Sequence, residues 1–329
     1  MDAASSKCQV PARDDRLRLR ASSLIIFGAA LAAFILRLVA KFLHLSKWGA
    51  DDNFMTIAAV LIIPLIILLQ LMISSGLGRD LRTLTNEELL FCFKMFFCQQ
   101  VAYFVVLGFV KASVLAFYLR IFPDHKFRIV VWATQFFNLT TAALYFTLIL
   151  LQYNPISLNW TGDFATYPNG EVLSDKLVYL THGVISMTLD VWMVILPFTQ
   201  LYHLGLKLRK KVGVLSMFSC GILLTGASVT RFYYLVRYQK ARNTEEAVKA
   251  IMWAYIELCI GVIVGCMPSI RQLTRRARGL IVARSGTGNT DPEQPSPIFR
   301  QRSLELITHT TTSVGIEKGG SGTTSSVSK

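Results

Sequence analysis

Apolar residues along this chain fall into long blocks interrupted by short polar segments. Seven blocks approach the roughly 20 residues that a helix needs to cross a bilayer. They lie at about residues 23–44, 54–74, 96–119, 128–151, 177–201, 212–236 and 250–270. Backbone groups in lipid must form hydrogen bonds within their own segment, and the blocks lack the alternation typical of barrel strands. The pattern therefore predicts an all-α fold, a seven-transmembrane helix bundle with a disordered C-terminal tail.

The polar segments at the two ends set the domain boundaries. We expect residues 1–22 to form a short extracytoplasmic arm, residues 23–273 the membrane domain and residues 274–329 a disordered cytoplasmic tail. The tail is rich in Ser, Thr, Gly and Pro, and such a composition cannot bury enough apolar surface to fold alone.

Composition excludes several classes of protein. Hydrophobic residues make up 53% of the chain and charged residues only 16%, against about 25% charged in soluble domains. The net charge is +14, but the basic residues lie between the apolar blocks and not on one face. This distribution is typical of membrane orientation, so we expect the lipid bilayer as a partner and no nucleic acid.

Orientation has to be inferred from two weak signals. Basic residues near the spans are equally numerous on both sides, and Arg37 and Lys41, read as snorkelling side chains, favour a cytoplasmic C-terminus. Asn159-Trp160-Thr161, after the fourth span, is a glycosylation sequon that functions only outside the cytosol. We therefore predict an outside N-terminus and a glycan on Asn159, in either the plasma membrane or an endomembrane.

Four charged residues stand out in the hydrocarbon zone of the predicted spans, where each costs a few kcal/mol. They are Lys111, Asp190, Arg231 and Glu257. Their depths along the helices predict that Lys111 pairs with Asp190 and that Arg231 pairs with Glu257. Two interpretations stay open: the pairs only fix helix packing, or they line a polar binding cavity.

Enzymatic chemistry finds little support in the sequence. His182, Ser186 and Asp190 share one helix face, but residues stacked along a straight helix rarely converge on one reacting atom, so a polar stripe is the better interpretation. No Cys/His spacing fits a metal site, and the seventh span has only Lys249, at its edge, for a retinal Schiff base. We assign no catalytic residue, metal or cofactor.

Several motifs resemble those of the fungal rhodopsin-domain integral membrane proteins, which include the satratoxin-cluster membrane protein family and fungal receptor-like seven-helix proteins. The similar segments are Trp48-Gly49-Ala50-Asp51-Asp52, Gly76-Leu77-Gly78-Arg79, and residues 111–122 with Lys111 and Tyr118-Leu119-Arg120-Ile121-Phe122. In the later spans they are Asp190, Pro197, Lys210-Lys211, Phe218, Gly221, Arg231, Trp253, Glu257, Cys266, Pro268 and Arg271. The chain departs from the family in having no cysteine in the loop after the fourth span.

The resemblance implies an outside N-terminus, a fungal source and a gene close to secondary-metabolite genes, but neither retinal nor light sensing. The first hypothesis is a non-enzymatic protein of fungal secondary-metabolite biosynthesis, a mycotoxin pathway in particular, acting as receptor-like sensor or membrane accessory. A small hydrophobic metabolite is the expected ligand, and a G protein or other signalling partner would bind the cytoplasmic loops and tail. The third span ends in Tyr118-Leu119-Arg120 and not Asp-Arg-Tyr. The alternatives are a membrane-embedded cyclase that uses Asp190 or Glu257 as general acid, and a metabolite exporter.

Overall fold

The computed structural model describes residues 15–45, 47–78, 85–154, 156–161, 171–172, 175–203, 208–241 and 244–285. These residues form α1 (Arg16–Phe42), α2 (Ala50–Ser74), α3 (Asn86–Ile121), α4 (His125–Leu151), α5 (Leu158–Thr161), α6 (Asp175–His203), α7 (Leu208–Ala241) and α8 (Thr244–Ser285). Between α4 and α6, strands β1 (Tyr153–Asn154) and β2 (Glu171–Val172) pair antiparallel, with Tyr153 opposite Val172. Apart from this small ladder, the described fold is helical, as predicted.

Six of the described helices are long and apolar enough to cross a membrane, so the chain is a multi-pass membrane protein. They are Arg16–Phe42, Ala50–Ser74, Asn86–Ile121, His125–Leu151, Lys176–Thr199 and Glu245–Ala277. The remaining predicted span, residues 212–236, lies within the 34 residues of α7, and the count of seven stays a prediction.

The predicted tail falls mostly outside the described residues. Its first part differs from the prediction, because α8 continues past residue 273 to Ser285. The helical bundle, as far as Arg275 of α8, belongs to one compact unit.

Helix ends follow local signals in the sequence. At the start of α3, Thr85 Oγ1 accepts a hydrogen bond from Glu88 N, and Thr85 N donates to the Glu88 carboxylate over 2.9 Å, which is a capping box. At the end of α2, Leu77 N donates to Met72 O over 2.9 Å, and Gly76 adopts a φ of 120°. This glycine-dependent C-cap explains the first glycine of the motif at residues 76–79.

The third long helix, α3, occupies the centre of the bundle. Within its most apolar stretch 67% of residues are buried, against 33% in α1 and α4. Glycines allow its neighbours to approach closely: a Cβ on Gly108 would lie 2.7 Å from Ala142 Cβ on α4, and one on Gly261 of α8 would lie 2.6 Å from Val110 Cγ1. Small residues at such crossings are typical of helices packed in membranes.

Candidate functional site: a buried ion-pair network

The four charged side chains predicted inside the membrane are buried as two ion pairs. Lys111 Nζ on α3 lies 3.0 Å from Asp190 Oδ1 on α6. Arg231 Nε on α7 lies 2.7 Å from Glu257 Oε2 on α8, and even Arg231, the most exposed of the four, is only 6% exposed. Both pairings inferred from helix depth are therefore confirmed.

Ser228 on α7, which the sequence does not single out, connects the two ion pairs. Its Oγ lies 2.6 Å from Asp190 Oδ2 and 2.5 Å from Glu257 Oε1. Tyr103 donates a hydrogen bond to Glu257 Oε2 over 2.7 Å, and the Arg231 guanidinium lies 5.1 Å from the centroid of the Tyr103 ring. We call this set the central network: Tyr103, Lys111, Asp190, Ser228, Arg231 and Glu257. It ties α3 to the three consecutive helices α6, α7 and α8.

The polar stripe on α6 faces the bundle interior, as predicted. His182, Ser186 and Asp190 are 5%, 2% and 1% exposed. Lys111 Nζ donates to both the carbonyl and the hydroxyl oxygen of Ser186, each over 2.8 Å. The His182 ring instead lies among aromatic side chains, with the Phe104 centroid 4.5 Å away. Because the ammonium group binds the serine hydroxyl, the arrangement differs from the serine–histidine contact of a hydrolase.

A cleft between α3, α6, α7 and α8 reaches the central network at Asp190. Its cavity volume is about 40 Å³. Its walls are mainly apolar and include Val114, Phe117, Met193, Leu224 and Pro268. Among the described residues, no group of three or more His, Cys, Asp and Glu side chains could hold a metal ion. The cleft thus offers an apolar surface with one carboxyl group at its inner wall.

A second charged cluster lies where α1 ends, α2 begins and α3 ends. Arg37 Nη2 lies 2.7 Å from Asp51 Oδ2 and 2.8 Å from Asp52 Oδ1. Lys41 Nζ lies 2.6 Å from Asp52 Oδ2, and Arg120 Nη1 lies 3.2 Å from Asp51 Oδ1. We call these five residues the loop-end cluster. It explains the acidic motif at residues 48–52 and the arginine of the motif at residues 118–122.

The interpretation of Arg37 and Lys41 as snorkelling side chains is wrong. They are only 3% and 7% exposed, because the two aspartates at the start of α2 provide partners inside the bundle. Arg37 also donates a hydrogen bond to Gly265 O on α8, and Ser113 Oγ on α3 donates to Asp51 O over 2.7 Å. The sequence shows the charges but not that the end of α1 lies beside the start of α2.

The predicted glycosylation site lies on α5, which packs against α3. The neighbouring Trp160 ring has its centroid 6.1 Å from that of Phe97, and Lys94 Nζ lies 5.9 Å from the Trp160 centroid. Asn159 is half-buried. Because the neighbouring Trp160 contacts Phe97 and Lys94, Asn159 lies near the start of the third predicted span. Its glycosylation stays a prediction.

Comparison with known proteins identifies relatives among fungal membrane proteins. The sequence model described as fungal rhodopsin domain matches residues 36–276. The chain is 23% identical to a SAT4 family membrane protein of Emericella nidulans, over 71% of this chain and 60% of the relative. It is 25% identical to fugralins biosynthesis cluster protein 2 of Gibberella zeae, over 61% of this chain and 51% of the relative.

A third relative carries a different kind of name. The chain is 25% identical to receptor GIN3 of Arthrobotrys oligospora, over 55% of this chain and 43% of that protein. The chain thus spans between 43% and 60% of the length of these three relatives. No solved structure matches it.

Removing Arg231 should destabilise the protein more than neutralising Glu257. Arg231→Ala leaves a buried carboxylate without its cation, which lowers the free energy of unfolding by about 3–5 kcal/mol in such pairs. Glu257→Gln instead keeps the shape of the side chain and its hydrogen bonds. Combining Arg231→Ala with Glu257→Gln should recover much of the stability lost in Arg231→Ala alone. Thermal unfolding of the detergent-purified proteins measures this coupling.

A pair between the same two helices in which the cation is exposed and Glu246 is buried provides the control for this cycle. Arg237 Nη2 lies 3.3 Å from Glu246 Oε1, and the Arg237 side chain is 53% exposed. Arg237→Ala with Glu246→Gln should show a coupling of about 1 kcal/mol or less. Strictly additive losses for Arg231 and Glu257 would mean that the two residues depend on different partners.

The loop-end cluster should depend on Arg37 far more than on Arg120. Arg37 is buried between both aspartates, whereas the Arg120 side chain is 32% exposed. We expect Arg37→Met to lower the free energy of unfolding by about 3–5 kcal/mol and Arg120→Met by about 1 kcal/mol or less. Thermal unfolding in detergent compares the two, and equal losses would show that burial does not decide the contribution.

Proposed function

We propose a function from the family: this chain belongs to the fungal rhodopsin domain family. We infer that it serves a fungal secondary-metabolite pathway as a receptor-like sensor or membrane accessory. Among its relatives are a protein named for a biosynthesis cluster and one named as a receptor. Both names are compatible with a membrane protein that responds to a metabolite without transforming it.

The observation that carries the proposal is the cleft beside Asp190. Its cavity volume is about 40 Å³, which is below the roughly 300–1,000 Å³ typical of preformed sites for whole small molecules. A metabolite would therefore insert one group beside Asp190 and widen the cleft as it binds. Apolar side chains supply the contact area, and the Asp190 carboxyl group supplies one polar anchor. We infer that the ligand is a small hydrophobic metabolite with a hydrogen-bonding or cationic group.

Complementation of a deletion strain tests this role. We expect the deletion to change both the amount of one secondary metabolite and the transcript level of its pathway genes. Val114→Phe, which fills the cleft, should fail to restore either quantity. The matched variant Val191→Phe, at a position on α6 that is 43% exposed, should restore both. Full complementation by Val114→Phe, or an unchanged metabolite profile in the deletion strain, would contradict the proposal.

A pathway enzyme is the second candidate, and the position of Asp190 favours it. A carboxylic acid facing an apolar cleft can protonate an alkene or an epoxide, which is the first step of many cyclisations. In that case the deletion strain and an Asp190→Asn strain would both accumulate an uncyclised precursor while pathway transcripts stay unchanged. An exporter would instead cause intracellular accumulation of the finished product.

We also propose that the N-terminus lies outside and the tail in the cytosol. The sequon at Asn159 and the family resemblance support this orientation. In fungal microsomes, endoglycosidase should increase the gel mobility of the wild-type protein and leave Asn159→Gln unchanged. A protease should remove a C-terminal epitope tag from intact cytosol-side-out vesicles, and protection of the tag would reverse the orientation.

A further inference from the structure

The hydrogen-bond geometry around Ser228 contains a mismatch between donors and acceptors. Ser228 Oγ lies 2.6 Å from Asp190 Oδ2 and 2.5 Å from Glu257 Oε1. Both distances fall in the range of roughly 2.5–2.7 Å that is typical of hydrogen bonds from a hydroxyl group to a carboxylate. A serine hydroxyl, however, has a single hydrogen to donate. If both carboxyl groups were ionised, one of the two contacts would join two oxygen atoms with no hydrogen between them.

One additional proton resolves this mismatch. A protonated carboxyl group donates to Ser228 Oγ, and Ser228 then donates its own hydrogen to the other carboxylate. We propose that Asp190, Ser228 and Glu257 form a proton-binding site, in which the two carboxyl groups hold one exchangeable proton through the serine hydroxyl. This inference goes beyond the proposed function and does not depend on it.

The other donors of the central network place the proton on Asp190. Glu257 Oε2 already accepts from Tyr103 and forms an ion pair with Arg231 Nε, each at 2.7 Å, so one hydrogen bond and one adjacent cation stabilise its ionised form. Asp190 faces Lys111 alone, at 3.0 Å, and the same ammonium group makes two shorter contacts with Ser186. The carboxyl group with fewer donors is the one that takes the proton.

Charge balance makes this proton exchangeable. With both carboxylates ionised, two cations face two anions, but one short oxygen–oxygen contact lacks a hydrogen. With Asp190 protonated, every contact has its hydrogen, but the network carries one excess positive charge. The ionised form has balanced charge but one unsatisfied contact, and the protonated form has satisfied contacts but one excess charge. Neither form is therefore favoured in both respects, and the proton can exchange.

The cleft provides a route for the proton to and from Asp190. Asp190 is among the residues that line the cleft, although only 1% of it is exposed, whereas Glu257 does not line it. The remaining charged and titratable groups around the site are Lys111 and Tyr103 on α3, Arg231 on α7 and His182 on α6. An assay must therefore detect carboxyl groups specifically and distinguish them from these other side chains.

Infrared spectroscopy of the purified full-length chain tests the proposal directly. A protonated carboxylic acid has a C=O stretching band that carboxylates lack, and the band shifts to lower frequency in heavy water. We expect one such band at neutral pH, its shift on exchange into heavy water, and its loss as the pH is raised. Absence of the band at neutral and mildly acidic pH, or its failure to shift in heavy water, would overturn the proposal without any variant.

Substitutions test whether Ser228 connects the two groups. In Asp190→Asn and in Glu257→Gln, the introduced amide donates to Ser228, so the extra proton is no longer needed and the neutral-pH band should disappear in both. Ser228→Ala removes the shared oxygen, and the band should disappear there as well. Persistence of the band in Glu257→Gln or Ser228→Ala would show that burial alone protonates Asp190, which overturns the shared site.

Two matched variants should keep the band. Thr230→Ala removes a hydroxyl from the same helix, where it donates only to the backbone oxygen of Gly226 over 2.8 Å. Glu245→Gln removes a carboxylate whose side chain is 59% exposed. Loss of the band in either variant would place the proton outside the Asp190–Ser228–Glu257 chain.

Discussion

Charged side chains inside a membrane must meet partners of opposite charge, and this requirement organises the whole bundle. A charge at the centre of a bilayer costs about 3 kcal/mol or more, because lipid offers neither water nor a counter-ion. Here Lys111 and Asp190 join α3 to α6, Arg231 and Glu257 join α7 to α8, and Arg37 joins α1 to α2. Since lipid removes the hydrophobic driving force between helices, these polar contacts act together with the close packing at glycines to select which helices become neighbours.

The central helix α3 takes part in both polar assemblies. Tyr103 and Lys111 belong to the central network, and Ser113 and Arg120 contact the loop-end cluster from farther along the same helix. The other helix common to both is α8, which carries Glu257 and accepts a hydrogen bond from Arg37 through its backbone. A displacement of either helix along its axis would therefore alter contacts in both assemblies.

The cleft, the central network and the family together define what the protein is suited to do. The proposed ligand would contact the apolar cleft and its one carboxyl group, and the proposed proton site lies in the network that balances charge against hydrogen bonding. Both properties meet at Asp190, which lines the cleft and also contacts Ser228 and Lys111. A ligand that bound the Asp190 carboxyl group would therefore compete with contacts that hold α6 to α3 and α7.

The sequence by itself determined the features that depend on local composition and period. Long apolar blocks predict helices, because backbone N–H and C=O groups in lipid must form hydrogen bonds within their own segment. Rare charges within the blocks predicted the two ion pairs, because their depth along a helix follows from residue number alone. Glycines and capping residues at segment ends, such as Gly76 and Thr85, are readable for the same reason: their partners lie within a few residues of the chain.

Only the tertiary structure decided what depends on which helices are neighbours. Ser228 and Tyr103 carry no charge and lie in apolar stretches of the sequence. No sequence pattern therefore separates them from other serines and tyrosines in the membrane helices. The sequence predicted that Arg37 and Lys41 extend toward water, whereas in the fold they form ion pairs with Asp51 and Asp52. Contacts between different helices set which helices lie side by side. The pattern along the sequence gives the depth of a residue in the membrane, but it does not show which neighbouring helix that residue faces.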